Sequence, residues 1–286
     1  MHTFWAKPTV ADDGSVLVTD FGGYLFALDG RTGVERWRFA EAHDPTGEYA
    51  NEAWSSVALT SDNHLIFTSN LGWIRKFRVD TGEQVQDRHW PIDPKLRRND
   101  SVGRPQQQDP IIFSAPVVDE NGTTYINAEN WCVYAISSAG AIQWNNCDFC
   151  SWGTAGMVLR DDATLIFGAD LPVNGGVECP AYVAGCDPTS PGKQGHLVAL
   201  DAATGRRLWA EAIPGLKTFV CNEQIPNLLS DGTVVISGGT YGGISAFRGG
   251  AALSRKAAWS KYGADTALSG RRSIPFSERG QHFLDA

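Results

Sequence analysis

Short stretches of alternating or β-branched apolar residues recur along the chain, separated by turn residues. The first stretches are residues 15–19 (SVLVT) and 24–29 (YLFALD). Asp13-Gly14 precedes the first of them and Thr32-Gly33 follows the second. Alternation with a period of two predicts half-buried strands, and Asp-Gly or Thr-Gly pairs suit the tight turns between antiparallel strands. The pattern predicts four short strands in succession.

This order of strand-like segments returns along the chain, which is the signature of a repeat architecture. Gly33 and Gly82 follow equivalent segments and are separated by the period of about 40 to 50 residues that propeller repeats have. The fourth copy is split by an insertion from about Leu171 to Gln194. We predict an all-β propeller of about five four-stranded blades in a single domain spanning residues 1–286. The predicted blades cover approximately residues 4–40, 54–90, 113–146, 154–211 and 225–260, with a C-terminal tail at 261–286.

A tryptophan follows the turn glycine at a constant offset of four positions in three of the copies. A large indole at that place can wedge between neighbouring blades and bury about 150 to 250 Å². Gln86 replaces the tryptophan in the second copy, and Trp259 follows a longer turn in the fifth. The residues of the predicted structural motif are Ala27, Asp29, Gly33, Trp37, Gly82, Gly140, Trp144, Ala199, Asp201, Gly205 and Trp209.

The segments that carry these residues resemble the tryptophan-docking motif, AxDxxxGKExW, of the pyrroloquinoline-quinone (PQQ) dehydrogenase superfamily. The first copy carries the alanine, aspartate, glycine, glutamate and tryptophan in that spacing, with Val34 in place of the lysine. The fourth copy has Arg206 and Arg207 in place of the Lys-Glu pair. The resemblance implies a PQQ-like β-propeller of the quinoprotein alcohol dehydrogenase type. Such propellers usually have seven or eight blades, so with five recognised we expect an incomplete propeller.

The resemblance also implies a set of cofactor residues. PQQ enzymes of this superfamily hold the quinone over a tryptophan and under a disulfide between adjacent cysteines, with a calcium ion and an aspartate base. This sequence has no adjacent cysteine pair, and Ser151 stands where a c-type haem site needs histidine. No nucleophile elbow, phosphate loop or HExxH pair occurs either. We therefore predict no catalytic, cofactor-binding or metal-ligating residue.

Four of the six cysteines form two pairs of near neighbours along the chain: Cys147 with Cys150 and Cys179 with Cys186. They are the candidate disulfide cysteines, because small loop-closing bridges restrict the unfolded chain. A redox-active Cys-x-x-Cys or a four-sulfur zinc site are the less favoured alternatives. Disulfides would place the protein in an extracytoplasmic compartment, periplasmic or secreted, although the N-terminal residues show no signal peptide.

Charge and hydropathy exclude some partners. The formal net charge is -8, so the long-range field repels nucleic acid. Apolar runs are far shorter than the roughly 20 residues of a membrane-spanning helix. We expect neither a nucleic-acid partner nor a membrane span.

The leading functional hypothesis is a non-catalytic propeller that binds a protein or carbohydrate partner through its loops and central channel. The alternative is part of a PQQ-dependent alcohol or sugar dehydrogenase, which would use PQQ with calcium. A secreted lyase or hydrolase on the same propeller is a third possibility. The aromatic and amide residues placed near strand starts, as candidates for lining the channel, are Trp54, Asn130, Trp131, Trp152, Asn222 and Tyr241.

Overall fold

The computed structural model describes residues 6–20, 22–40, 55–69, 73–85, 114–128, 132–149, 156–171, 195–216, 225–237 and 243–250. Within these ranges all regular secondary structure is β, in five antiparallel sheets of three or four strands. The all-β fold class predicted from the sequence is confirmed. No described segment forms a helix that is long and apolar enough to cross a membrane.

The first sheet shows how the sequence pattern becomes a sheet. Its strands pair in chain order, β1 Thr9–Val10, β2 Ser15–Thr19, β3 Tyr24–Asp29 and β4 Glu35–Ala40. Side chains alternate along β2, so Leu17 is buried while Val16 and Val18 are half-buried on the opposite face. The outer strand β4 is mostly exposed.

The other sheets repeat this plan. The second comprises β5 Ala58–Leu59, β6 His64–Thr68 and β7 Ile74–Arg78; the third β8 Val117–Val118, β9 Thr124–Ala128, β10 Cys132–Ile136 and β11 Ile142–Asn146. The fourth comprises β12 Val158–Leu159, β13 Thr164–Asp170, β14 Gly195–Asp201 and β15 Arg207–Ala212; the fifth β16 Asn227–Leu228, β17 Val234–Ser237 and β18 Ile244–Phe247. In the second sheet a single β-bridge joins Phe77 to Gln84 beyond β7.

The two ends of each sheet differ. The first strand turns into the second at one end, which we call the turn end, and in the four-stranded sheets the third strand turns into the fourth at the same end. The second strand leads into the third at the opposite end, which we call the loop end. The insertion between β13 and β14 leaves the fourth sheet at its loop end.

The hydrophobic core lies between the sheets. One cluster of buried residues joins the first, second and third sheets, a second joins the third and fourth, and a third joins the fourth and fifth. Between the first two sheets, the Phe39 ring lies 6.0 Å from Phe67 and 4.8 Å from Phe77. Because a fully buried phenylalanine contributes about 1.5 to 3 kcal/mol, such contacts make each sheet depend on its neighbours.

Candidate functional site

Trp37, at the centre of outer strand β4, packs against the turn end of the second sheet. Its indole Nε1 donates a hydrogen bond to the carbonyl oxygen of Val79 at 2.9 Å. Gly82 lies under the ring with φ of +70°, and a Cβ atom added there would be 2.5 Å from the Trp37 ring. Only glycine combines this left-handed backbone with so close an approach.

Trp144, on β11, makes the same contact with the fourth sheet. Its Nε1 donates to the carbonyl of Ala202 at 2.9 Å, and a Cβ on Gly205 would be 2.4 Å from the ring. Asn146 adds a hydrogen bond from its side-chain amide to the Gly205 carbonyl at 2.8 Å. Two of the motif glycines, Gly82 and Gly205, thus each lie against a motif tryptophan of a neighbouring sheet.

The motif aspartates close the same turns. Asp29 Oδ1 accepts hydrogen bonds from the backbone N–H groups of Arg31 and Thr32, at 3.1 and 3.0 Å. Asp201 does the same for Ala203 and Thr204. The Arg36 guanidinium, 2.7 Å from Asp29 Oδ2, and then the Thr32 hydroxyl hold the Asp29 pKa well below its usual range.

The remaining motif residues have less specific surroundings. Ala27 and Ala199 are fully buried and lie opposite Trp37 and Trp209 in the strand register. Trp209 is partly buried against the cluster between the fourth and fifth sheets. Gly140 has the left-handed φ of a turn residue, +86°.

A disulfide joins Cys132, at the start of β10, to Cys147, just after β11. Spacing along the chain favours a local bridge such as one between Cys147 and Cys150, whereas the structure joins Cys147 to Cys132. The antiparallel register sets Val133 opposite Asn146, so Cys132 and Cys147 are brought together by the sheet. Cys150, Cys179 and Cys186 lie outside the described residues.

A pocket of about 410 Å³ opens at the turn end between the third and fourth sheets. Carboxylates of Asp119, Glu120 and Asp161 lie in its lining, with apolar walls from Ala163 and Ala202. The volume falls within the range of about 300 to 1,000 Å³ that ligand pockets have. It is therefore our candidate binding site.

Tyr125 lies in the pocket wall and holds one of these carboxylates in place. It is 3% exposed, and its hydroxyl donates to Asp119 Oδ2 at 3.1 Å. Burial and the neighbouring Asp119 charge raise the Tyr125 pKa well above its usual value. The tyrosine therefore remains a neutral donor throughout the physiological pH range.

Arg160 is the basic residue in the pocket lining and is itself nearly buried. Its Nη2 lies 3.0 Å from Asp162 Oδ2, and its side chain is 7% exposed. The guanidinium lies so close to Gly250, which follows β18, that a Cβ atom would not fit at that position. Its charge is engaged by Asp162, so the pocket mouth is net acidic.

Buried hydroxyl and amide groups gather at the loop end. The Thr19 hydroxyl donates to the Ser55 carbonyl at 2.9 Å, which links the first two sheets, and the hydroxyls of Ser55 and Thr68 lie 2.6 Å apart. In the third sheet the Ser114 hydroxyl donates to the Asn127 carbonyl. The six channel candidates predicted from the sequence all fall outside the described residues: Trp54, Asn130, Trp131, Trp152, Asn222 and Tyr241.

The family resemblance implies a quinone site with a bound calcium ion. Among the described residues, no three His, Cys, Asp or Glu side chains lie close enough together to hold a metal ion. The disulfide that they contain spans 15 positions and joins two strands, whereas the enzymes' disulfide links adjacent cysteines.

The sequence analysis did not predict the pocket, although the sequence contains a weak indication of it. Asp119 and Arg160 occupy equivalent places, directly after the short inner strands β8 and β12. Ala11 occupies that place in the first sheet. A charged residue in consecutive repeats at one position could have indicated a site between two blades.

Comparison with known proteins identifies relatives of this fold. A family profile described as "Outer membrane protein assembly factor BamB" matches residues 2–166, more than half of the chain. No curated protein matches the sequence significantly.

Among solved structures, BamB from Moraxella catarrhalis is 16% identical in sequence to this chain, with a TM-score of 0.48. The matched region covers 86% of this chain and 65% of the BamB chain. Quinohemoprotein alcohol dehydrogenase from Comamonas testosteroni has 17% identity and a TM-score of 0.54, and the match covers 86% of this chain and 43% of the dehydrogenase. The quinohemoprotein alcohol dehydrogenase ADHIIG from Pseudomonas putida HK5 has 13% identity and a TM-score of 0.54, and the match covers 88% of this chain and 53% of that dehydrogenase. The chain thus spans less than two thirds of each of these proteins, and the likeness to the two dehydrogenases shows the fold.

Proposed function

Since the chain belongs to the family of the outer membrane protein assembly factor BamB, we propose that it is a non-catalytic scaffold that binds a partner protein. Its described sheets supply a framework, and the pocket between the third and fourth sheets supplies a contact point. By analogy with the family description, the role would lie in the assembly of outer membrane proteins. Loops around the central channel would enlarge the binding surface.

The observation that carries this proposal is the acidic character of the inter-sheet pocket. Glu120 and Asp161 are exposed at its mouth, and Asp119 lies deeper with Tyr125. Ala163 offers an apolar wall for the methylene stem of a long side chain. An arginine or lysine of an extended partner segment fits both features.

The contacts of Trp37 with Gly82 and of Trp144 with Gly205 support a rigid scaffold. We interpret them as the tryptophan-docking contacts that the sequence motif implies. Each fixes an outer strand of one sheet to a turn of another, so loops from different sheets keep their relative positions. A partner that touches several sheets would then meet a pre-organised surface.

The disulfide supports an extracytoplasmic location. Disulfides persist in the periplasm and outside cells, whereas cytosolic thiols are kept reduced. A bond between Cys132 and Cys147 fits the compartment in which outer membrane proteins are assembled.

The fold likeness to quinohemoprotein alcohol dehydrogenases favours one alternative, a portion of a PQQ-dependent dehydrogenase. Titration calorimetry with PQQ and calcium separates the two functions. The scaffold proposal expects no heat of binding, and a stoichiometric, calcium-dependent complex would establish the alternative.

The scaffold proposal is tested with two fluorescein-labelled peptides, one alternating arginine with threonine and the other alternating glutamine with threonine. Fluorescence anisotropy should show binding of the arginine peptide only. The double variant Glu120→Gln and Asp161→Asn should weaken it about tenfold, because each exposed charge contributes up to about 1 kcal/mol. Added salt should weaken binding as well.

The matched control is the double variant Asp148→Asn and Glu211→Gln. It also removes two negative charges, but from exposed positions that do not line the pocket. Its affinity for the arginine peptide should equal that of the unaltered protein. Equal losses in both double variants would show that net charge alone attracts the peptide and would refute the pocket as the binding site.

A further inference from the structure

The pocket between the third and fourth sheets is bordered by a turn whose backbone does not suit its own residue. In every sheet the last residue of the turn between the first two strands is left-handed, with φ between +58° and +82°. The four residues other than that of the fourth sheet are Gly14, Asn63, Gly122 and Gly232. The fourth sheet has Ala163 there, with φ of +58°. Alanine is disfavoured in this conformation because its Cβ lies close to the following carbonyl oxygen, whereas glycine lacks a Cβ and asparagine tolerates it.

Backbone hydrogen bonds hold Ala163 in this conformation. Its N–H donates to the Arg160 carbonyl at 3.1 Å, and its own carbonyl accepts from the Ala202 N–H at 2.9 Å. The Ala163 side chain is exposed and lines the pocket. The core therefore does not need this methyl group, and a glycine would suit the turn better. What the methyl group adds is an apolar contact in the pocket wall.

Arg160, at the start of the same turn, carries a buried donor with no acceptor. Its side chain is 7% exposed and its Nη2 lies 3.0 Å from Asp162 Oδ2. The buried Nε has no hydrogen-bond partner in the described part of the chain. Such a donor destabilises the folded protein, because it has lost its hydrogen bond to water without gaining another. Arg160 also lines the pocket, so a bound molecule is what could supply the missing acceptor.

The third sheet shows the same turn without these two features. Asp119 occupies the place of Arg160, and its Oδ1 accepts hydrogen bonds from the backbone N–H groups of Asn121 and Thr123 at 2.9 and 2.8 Å. An aspartate that bonds its own backbone in this way stabilises a turn. Gly122 takes the left-handed position without strain. The fourth sheet thus departs from this arrangement at two residues, and both lie in the wall of the pocket.

We propose that Arg160 and Ala163 determine which segment the pocket takes, and this inference rests on the proposed binding of a basic side chain there. The Ala163 methyl group packs on the methylene stem of a bound arginine. The Arg160 Nε donates a hydrogen bond to a backbone carbonyl beside that arginine. Recognition then requires both a basic side chain and the peptide backbone that carries it.

The charges around the pocket decide that the acceptor is an uncharged carbonyl. Asp119, Glu120 and Asp161 lie in the lining, and Asp162 pairs with the Arg160 guanidinium. Carboxylates therefore outnumber the one arginine, and they would repel a ligand carboxylate such as a chain terminus. The occupant is accordingly an arginine within a chain and not a C-terminal one.

Ala163→Gly separates binding from stability. Removing the strained alanine should raise the urea midpoint. Loss of the methyl contact should weaken binding of the arginine peptide, read by fluorescence anisotropy, about fourfold, which is the value of one buried methylene group. The matched control is Asn63→Gly, which places glycine at the equivalent left-handed position of the second sheet, away from the pocket. Its affinity for the arginine peptide should equal that of the unaltered protein.

Two small ligands test the hydrogen bond from Arg160. N-acetyl-arginine N-methylamide has backbone carbonyls beside its side chain, whereas butylguanidine has a stem and a guanidinium alone. For the unaltered protein, the first should displace the fluorescein-labelled arginine peptide at an about tenfold lower concentration, since a hydrogen bond to a charged group is worth that much. Arg160→Lys keeps the positive charge but lacks Nε, so the two ligands should then compete equally well.

Three results would each overturn the inference. They are an arginine peptide affinity unchanged by Ala163→Gly, equal competition by the two ligands for the unaltered protein, and a preference that persists in Arg160→Lys. If Arg160→Lys fails to fold, the ligand comparison on the unaltered protein decides alone. Peptide binding that still depends on Glu120 and Asp161 would leave the scaffold function standing when this inference fails. Absence of peptide binding to the unaltered protein would refute both.

Discussion

Replacing Gly205 by alanine tests whether the indole contacts hold the sheets together. The new methyl group would lie 2.4 Å from Cε3 and 2.6 Å from Cδ2 of Trp144, well inside van der Waals contact. These two atoms belong to a rigid ring whose N–H donates a hydrogen bond to the Ala202 carbonyl. The ring must therefore move away from the fourth sheet.

The expected loss in the free energy of unfolding has two parts. A left-handed alanine costs about 1 kcal/mol relative to glycine. Moving the indole weakens one hydrogen bond, about 1 kcal/mol, and aromatic packing worth about another 1 kcal/mol. Gly205→Ala should therefore cost about 3 kcal/mol in total. Gly215→Ala, with φ of +76° and no atom near its Cβ, should cost only the first part, about 1 kcal/mol.

Urea denaturation followed by circular dichroism measures both variants at low protein concentration. A double-mutant cycle then adds Trp144→Ala to Gly205→Ala. Without the indole, the alanine at position 205 should cost about 1 kcal/mol, as at position 215, which leaves a coupling of about 2 kcal/mol with Trp144.

Two results would refute this reasoning. Gly205→Ala could prove no more costly than Gly215→Ala, or its cost could persist unchanged in the Trp144→Ala background. Either outcome would mean that the Trp144 indole does not contact the turn at Gly205 with the geometry described.

Three further predictions concern other features. The pKa of Tyr125 is raised in the folded protein, so above about pH 10 the tyrosine loses its proton in the unfolded state first, and the free energy of unfolding falls as the pH rises. Tyr125→Phe should make this fall less steep, as measured by urea denaturation at several alkaline pH values. Replacing both Cys132 and Cys147 by alanine should lower the free energy of unfolding by about 3 kcal/mol, as for a closed loop of about 15 residues, and a reductant should then lower the urea midpoint by less than it does in the unaltered protein. Asp29 has a lowered pKa, so stability should decline as pH falls below about 4, and Asp29→Asn should decline less between neutral and acidic pH.

Much of the fold was predictable because its determinants are local. Alternation along residues 15–19 predicted β2, and the observed burial alternates as expected. Gly33 and Gly205 were predicted as turn positions, and both adopt the left-handed backbone that a tight turn requires.

The disulfide and the pocket were not predictable in the same way. Spacing along the chain favoured Cys150 as the partner of Cys147, but the register of β10 and β11 brings Cys132 to it. The pocket draws Tyr125 from one sheet and Asp161 from another. Its existence depends on how two repeats pack, which the pattern within one repeat does not describe.

The sequence by itself thus determined the repeat, its strands and turns, and the tryptophan with the glycine four positions before it. These features follow from steric and hydrophobic preferences that act over a few residues. Only the tertiary structure decided which carbonyl accepts each indole N–H, since Val79 lies 42 positions from Trp37 and Ala202 lies 58 from Trp144. It also decided that the turn at Gly33 has nothing within 4 Å of an added Cβ, whereas those at Gly82 and Gly205 lie against an indole, because a contact between sheets depends on which surface is brought against the turn.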